Sequence, residues 1–583
     1  MTSSIPPRPD FFRERWLSLE GLWSFMFDDE DRGLDERWFT EGLPDPVDIK
    51  VPYPYQSRLS GIGDEAIHPV VWYAKKFKLP ETLRDGRVHI KFGAVDYKAS
   101  VWVNGRFMGE HIGGYSPFSF DVTEALGDEN LLVLRVEDRH GDQARGKQDS
   151  KLKPSGCLYM RVTGIWQPVW LEGCGDAWVE GFQAFPCIEK RGIRLRLRLS
   201  GELTGLKLRI RVLLAEAEQT SLVEKVKNRV LEVFLRLPEV ALWSPEEPDL
   251  YTSEFILERD GETIDHVRGY FGLREVSVKD GRFLLNGKPV YLKFALDQGY
   301  FPDGLYAAPS PEALRRDVEA VKRLGLNGVR KHQKPEDPRY FYWCDKLGVL
   351  VWEEMPDWGM SLEPKNLETF WSEVESIILR DFNHPSIIAW VPFNERRTVA
   401  DNPVHRGFLE DPCSRVKRLD PTRLLVDNSG YVHTETTDII DIHDYSGWRG
   451  YRRFKENLAK RIRSIKTGEP REFRITVEDF KYRGQPIVVS EWGGWGIKGY
   501  EPLVDREVMV YGPPVTDEYE FLTRYRACVK AMAECDEVVG FCYTQLYDIE
   551  GELNGYMTYD RQWKINPDEI ARIHSKIGFD DVT

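Results

Sequence analysis

DFNHPSIIAWVPFNE, residues 381–395, runs an apolar core of Ile387, Ile388, Ala389, Trp390 and Val391 directly into Phe393, Asn394 and Glu395. A run this short, rich in β-branched and aromatic residues, reads as a buried strand, and a carboxylate straight after it falls at the mouth of a sheet. GQPIVVSEWGG, residues 484–494, repeats the arrangement, with Ile487, Val488 and Val489 leading into Ser490 and Glu491. Two carboxyl groups so placed suit the hydrolysis of a glycosidic bond. One protonates the leaving oxygen, and the other attacks the anomeric carbon or activates a water that does.

Outward from these two stretches, the chain beyond Lys279 alternates strand-like runs with amphipathic helical segments, the pattern of a parallel α/β fold. Eight strands are predicted: PVYLKFAL (289–296), GLNGVRKH (325–332), GVLVWEE (348–354), SIIAWVPF, RLLVDN, IIDIHDY, PIVVSE and VVGFCYTQ. Eight parallel strands close a TIM barrel, whose functional groups sit at the carboxyl ends of its strands. Those ends supply Asp297 and Gln298, Arg330 and His332, Glu353 and Glu354, Asn394 and Glu395, Asp427 and Asn428, His443 and Tyr445, Glu491 and Trp492, and Tyr543 and Gln545. A polar, aromatic cup is the result. Between strands, SPEALRRDVEAVKRLG carries a capping Ser310, Pro311 in the first turn and Gly325 after the last.

Before residue 277 no helical period appears. From Leu19 to about Ala177, runs such as VHIKFGAVD, ASVWVNGRFMG and NLLVLRVED are cut by turn residues, and Asn104-Gly105 predicts a hairpin. A β-sandwich over 1–177 follows. From 178 to 276 the strands are shorter, and in IRLRLRLS the apolar Ile193, Leu195, Leu197 and Leu199 alternate with arginines and Ser200, so one face is buried. That length suits an immunoglobulin-like sandwich, acting as a spacer. His111, in GEHIGGY, is either a ligand group or a turn histidine held by backbone groups.

NHPSIIAWVPFNE, through Asn383, His384, Pro385, Ser386, Trp390, Asn394 and Glu395, resembles the acid/base motif of glycoside hydrolase family 2, the β-galactosidase, β-glucuronidase and β-mannosidase group, and PIVVSEWGG resembles its nucleophile motif. GLWSF, VWVNGRFMGEHIGGYSPFSFDVT and GIWQPVWLE are similar to the family's jelly-roll sugar-binding domain, and LWSPEEPDLY and YFGLREV to its immunoglobulin-like domain. The resemblance implies three units: a jelly roll (1–177), an immunoglobulin-like sandwich (178–276) and a catalytic TIM barrel (277–583). It implies Glu395 as acid/base and Glu491 as nucleophile, with retention of configuration, and Asn394 against the sugar 2-hydroxyl. It also implies Tyr445 bonded to the nucleophile. Arg330 is expected either to hold Glu491 by charge-assisted bonds or to pair with Glu353 or Glu354. His332, His443, Asp297, Gln298, Glu353, Trp492 and Tyr543 are the further expected substrate-binding residues.

The sequence also departs from the family pattern. GVRKHQKPEDPR replaces an Arg-x-Ser-His stretch, so Lys331, His332 and Gln333 make a different wall, and Arg396, Arg397 and Thr398 follow the acid/base. ELNGYMTYDR (552–561) stands where glucuronidases carry Asn-x-Lys, with Gly555 and Tyr556 after Asn554. A terminal neutral sugar, cleaved by a β-galactosidase-type exo-acting enzyme, is therefore expected ahead of a glucuronide, with a β-galactofuranoside or α-L-arabinoside as the alternative.

With 583 residues, several domains are expected. The net charge of −15 and scattered basic residues argue against nucleic acid or an anionic membrane as partner. No apolar run of signal or membrane-spanning length occurs, and the eight cysteines lack CxxC spacing, so a cytoplasmic protein with reduced thiols and no structural zinc is expected. Eighteen tryptophans and 12% aromatic residues fit both sugar stacking and β-domain cores. No cofactor is expected, and a homodimer is a reasonable assembly. A metal-dependent hydrolase would need clustered ligands such as His332, His443, Glu353 and Glu354, but HxH and HExxH spacings are missing. A sugar-binding protein without catalysis should lack one of the paired glutamates, and both are present.

Overall fold

The computed structural model describes residues 5–397 and 403–579. Thr398 and the extreme ends of the expected first and third units lie outside the described residues.

The first sandwich packs a six-stranded antiparallel sheet, which includes Gly21–Phe27, Val70–Lys78, Glu129–Glu137 and Lys98–Val103, against a four-stranded one built on Arg87–Phe92 and Val169–Cys174. Trp23, Phe25, Tyr73, Ile90, Val101 and Leu134 are among the side chains that fill the space between. Lys98–Val103 and Arg106–Ile112 form the predicted hairpin. Its turn needs positive φ at both central positions, and Asn104 and Gly105 adopt 50° and 76°. His111 lies on the second strand of this hairpin rather than in a turn, stacks on Phe118 and meets Ser116 Oγ at 3.1 Å.

In the second sandwich, Ile193, Leu195, Leu197 and Leu199 of Gly192–Gly201 are buried as their alternation requires. A three-stranded sheet faces a five-stranded one across this core. The edge of the larger sheet is Phe11–Phe12, from the chain's beginning, paired with Gly269 and Arg268. Arg13 follows and binds Asp265 of the second sandwich at 2.8 Å and Glu172 of the first, a buried ion triad that joins them.

The remaining unit is a curled sheet of eight parallel strands. Numbered within it, they are β1 (Leu292–Asp297), β2 (Gly328–Lys331), β3 (Leu350–Glu354), β4 (Ile387–Val391), β5 (Leu424–Leu425), β6 (Ile440–Asp444), β7 (Ile487–Gly493) and β8 (Val538–Thr544). Their order is 5-4-3-2-1-8-7-6, which places β5 and β6 at the two ends. Side chains alternate between the lumen and the surrounding helices. Leu292, Phe294 and Leu296 of β1, Leu350 and Trp352 of β3, Val488 of β7, and Val539 and Cys542 of β8 pack together in the lumen. Trp243, Phe283 and Leu285 join that cluster from the segment before β1 and help to fill the barrel.

Helix α1 (Pro311–Arg323) starts as its sequence predicts, Ser310 Oγ accepting from Ala313 N and Pro311 standing at N1. Helix α2 (Pro338–Leu347) follows β2, and α3 (Pro364–Asp381) follows β3. Glu373 of α3 accepts the backbone N–H groups of Tyr115 at 2.9 Å and Ser116 at 3.2 Å, tying the barrel to the first sandwich. Among the described residues no helix is long and apolar enough to cross a membrane. All eight cysteines are free thiols.

Candidate active site

Polar residues at the ends of β2, β3, β4, β6 and β7 meet in one network. Arg330 of β2 is fully buried, and its guanidinium spans three strands: Nε donates to Glu354 Oε2 of β3 at 2.7 Å, Nη2 to Asn394 Oδ1 at 2.7 Å, and Nη1 to Glu491 Oε1 at 3.0 Å. Both expected readings of Arg330 hold together. Five donors in a fixed planar fork let one arginine serve two carboxylates. Arginine only donates, so Asn394 must turn its carbonyl oxygen to Arg330, which leaves its NH2 to donate elsewhere. Glu354 also accepts from Gln333 at 2.9 Å and meets His332 Nδ1 at 3.1 Å.

Glu491 reaches the lumen by a register shift. Val489 and Trp492 both face the helices, and the pairing of β7 is irregular between them, so two residues, Ser490 and Glu491, fit where regular alternation would allow one. An irregularity of this kind re-aims a side chain. Tyr445, after β6, donates its hydroxyl to Glu491 Oε2 at 2.6 Å and is stacked on Tyr511 with ring centres 3.8 Å apart. Glu395, with φ of 54°, adopts the left-handed conformation, a strain that persists only where surrounding structure enforces it. Its N–H donates to Ser429 O at 3.0 Å, and Trp358 Nε1 donates to Asn394 O at 3.0 Å.

His443 stands between the two glutamates. Its Nδ1 is 2.8 Å from Glu395 Oε1 and 3.4 Å from Glu491 Oε2. One oxygen of each glutamate and one nitrogen of His443 lie within 4.8 Å of one another, so this triad is also where a divalent cation would find ligands. Burial presses the His443 pKa down, yet the charges of Glu491 and Glu395 and the hydrogen bond to Glu395 outweigh it and raise it above the ordinary imidazole value. For Glu395 burial pushes upward, but the bond and charge of His443, with Lys147 and Arg330, hold the carboxyl below its usual range. A second carboxylate nearby would by itself raise the Glu395 pKa. His443, interposed between the two glutamates, reverses that direction.

Four of the expected substrate-binding residues face the other way. Asp297 of β1 points to the helices, where Lys331 Nζ at 3.0 Å, Tyr547 Oη at 2.5 Å and Tyr340 Oη at 2.7 Å all donate to it. Glu353 is buried against Arg380 and Asp381, and neither of its carboxyl oxygens accepts a hydrogen bond from a described residue. Trp492 and Tyr543 pack edge to face at 5.3 Å in an aromatic cluster with Tyr525. Alternation along β1, β3, β7 and β8 turns each outward. Gln298 lies at the cup's edge, donating to Tyr159 Oη at 2.7 Å and Gln545 Oε1 at 2.6 Å. His332 stays with the cup, and burial holds its pKa well below the usual value, so it is neutral.

Sequence reasoning missed Trp358, Tyr511, Glu552 and Lys147. Trp358 lies four residues beyond β3, where a loop aromatic near a barrel mouth was a readable signal. Tyr511 lies in a loop with no motif around it, and Glu552 opens ELNGYMTYDR, where attention to Asn554 passed it by. Lys147 belongs to another domain.

Three family models match this chain: the sugar-binding domain of glycosyl hydrolases family 2 over residues 16–171, a second domain of that family over 194–274, and its TIM barrel domain over 276–511. The chain belongs to glycoside hydrolase family 2. This family 2 chain is 26% identical over 601 residues to a β-glucuronidase of Paenibacillus borealis, covering 94% of each, and 32% identical over 344 residues to a β-galactosidase of Thermoanaerobacter pseudethanolicus, covering 56% of this chain and 45% of that one. It spans about half the length of several curated relatives it matches. Its fold superposes on a β-glucuronidase of an uncultured Clostridium sp. with TM-score 0.78 and 22% identity, over 96% of this chain and 98% of that one.

Proposed function

We propose that the protein is a retaining, exo-acting glycosidase that removes a terminal non-reducing sugar, with Glu491 as nucleophile and Glu395 as acid/base. The observation that carries this reading is the pair of carboxylates whose oxygens approach within 4.8 Å, each with a different set of partners. Retaining enzymes hold their carboxyl groups about 5 to 5.5 Å apart, whereas inverting ones leave roughly 6.5 to 9.5 Å for a water. Glu491 receives Arg330 and Tyr445, two donors that hold its carboxylate in place in the cup. Glu395 is a quarter exposed, as suits a group that must meet a departing oxygen and then a water.

In the first step Glu491 attacks the anomeric carbon as the glycosidic bond breaks, and the Glu395 proton passes to the leaving oxygen. In the second, Glu395 takes a proton from water, whose oxygen displaces Glu491 and restores the starting configuration. Asn394, through the NH2 left free by Arg330, donates to the sugar 2-hydroxyl. His443 supplies the proton reservoir beside Glu395, since the two groups share one hydrogen bond and titrate as a pair.

For the sugar, a neutral β-galactoside-type substrate is the first reading, because Asn554 Nδ2 is already committed to Glu552 and no lysine follows it. A β-glucuronide is the second, favoured by the names of several relatives and by the ammonium of Lys147 close to both glutamates. A panel of nitrophenyl β-galactoside, β-glucuronide, α-L-arabinoside and β-galactofuranoside separates them. Proton NMR of the first-formed hemiacetal should show the substrate's own anomeric configuration, and the inverted anomer would refute retention.

A further inference from the structure

The long loop 138–163 of the first sandwich lies across the barrel mouth, and it is anchored there by backbone geometry. Arg145 N donates to Trp358 O at 2.8 Å, and Tyr115 Oη to Arg145 O at 2.7 Å. Gly146 has φ of +57°, and a Cβ there would stand 2.3 Å from Gln333 O, so only glycine lets the loop come this close to the barrel. Farther on, Met160 N donates to Glu550 Oε1 at 2.7 Å. Between these anchors the loop turns Lys147 into the cup.

Lys147 is only 4% exposed. Its Nζ lies 4.4 Å from the centre of the Trp358 ring and 5.9 Å from that of Tyr159, and it donates no hydrogen bond to any described residue. Burial opposes its charge, but Cys157, Glu552, Glu491 and Glu395 together raise its pKa above the ordinary lysine value. Trp358 is itself fixed by its bond to Asn394 O, so the lysine stem rests on a rigid plate. An ammonium that faces the cup with no protein acceptor is left to water, and a ligand entering the cup takes that water's place as acceptor. The ligand that enters between Glu395 and Glu491 is a sugar, and every edge of a sugar ring carries acceptor oxygens.

We propose that Lys147 is a substrate-binding and specificity-determining residue, delivered to the barrel from the neighbouring sandwich, that donates to an acceptor oxygen of the terminal sugar. The proposal rests on the reading of Glu395 and Glu491 as the reacting pair. The acceptor is a ring hydroxyl of a neutral sugar or a carboxylate of a uronic acid, and the two differ in what removing the charge costs. It also gives the loop a function: the barrel carries the reacting groups, and the sandwich completes the recognition.

Lys147→Met keeps the stem that packs on Trp358 and removes the charge and its protons. We expect kcat/KM on the preferred nitrophenyl glycoside to fall about ten- to hundredfold, the range for a hydrogen bond to a charged group, with an unchanged thermal midpoint. Lys147→Gln, which keeps a donor without charge, separates the acceptors. It should restore much of the activity if the partner is a hydroxyl, and little if it is a carboxylate, where the loss on a β-glucuronide should also exceed that on a β-galactoside. Calorimetric titration of wild type and both variants with galactose and with glucuronic acid needs no turnover. It therefore tests Lys147 even if no glycoside is cleaved, an outcome that would count against the proposed function alone. Wild-type kcat/KM on both glycosides, or unchanged affinity for both sugars, in a variant that melts like the wild type would overturn the proposal.

Discussion

Glu353 and Glu354 are neighbours in sequence, identical in chemistry and both fully buried, yet the barrel wall separates their environments. Glu354 faces the lumen, where Arg330, His332 and Gln333 surround its carboxylate. Glu353 faces the helices beside Arg380 and Asp381 and accepts no hydrogen bond from a described residue. The same division runs around the barrel. Arg330, Asn394, His443 and Glu491 turn inward, while Asp297, Trp492 and Tyr543 turn outward and serve as core. Reaching the end of a barrel strand is therefore not enough to reach the site: the pleat decides, and one residue of slip exchanges the faces.

The comparison breaks most visibly if the inner and outer glutamates respond alike to removal of charge. Glu354→Gln leaves Arg330 with one carboxylate and loosens the group that positions both Asn394 and Glu491. A displacement of about 1 Å in a positioning network costs on the order of a hundredfold, so kcat/KM should fall by about that factor in steady-state assays. Glu353→Gln should stay within about twofold of wild type. An equal loss in the two variants would put Glu353 back in the site.

A second effect of Glu353 concerns stability. Burial, followed by the nearby Asp381, raises its pKa well above the usual glutamate value. The folded state then keeps a proton that the unfolded state has released, so stability falls as pH rises above the unfolded value of about 4.3. Glu353→Gln should flatten that decline between pH 5 and 8 in denaturant titrations. A variant that declines as steeply as wild type would contradict the assignment.

His443 sharpens the inner face. Its positive charge lowers the Glu395 pKa, and the proton the two groups share is lost only as pH rises through the raised His443 value, so His443→Asn, which leaves Glu395 to hold that proton alone, should move the alkaline limb of the kcat/KM profile to lower pH. An unmoved limb would mean that His443 is not the cation beside Glu395.

The smallest effect belongs to Tyr543→Phe. Its hydroxyl donates to Asn554 O at 3.2 Å within the aromatic cluster, so stability should drop by about 1 kcal/mol with kinetics unchanged. Slowed turnover at full stability would place Tyr543 in the cup.

The three-part architecture was legible because alternation and turn chemistry are local. IRLRLRLS and Asn104-Gly105 carry their own geometry, and the helix start at Ser310-Pro311 needs no tertiary knowledge. Glu395, Asn394, Glu491, Tyr445 and Arg330 were legible as one group because strand ends converge in a barrel. What could not be read was inward or outward facing at those ends. At Glu491 the answer depends on an irregularity in β7, and at Asp297 on a lysine of the next strand, 34 residues away in sequence. Lys147 was invisible for a different reason: its place in the cup depends on how two domains dock. The histidine between the glutamates was named as a sugar contact, but its effect on Glu395 required distances.

The central claim is the division of labour between Glu395 and Glu491, and azide rescue tests it most directly. Glu395→Ala, given a dinitrophenyl glycoside that needs no acid, should accumulate the glycosyl-enzyme. Azide, which needs no base, should then release a glycosyl azide of retained configuration. Glu491→Ala can accept azide only in place of its lost nucleophile and should give the inverted azide. The opposite stereochemistry in the two variants would reverse the roles, and full activity in both would place the chemistry elsewhere.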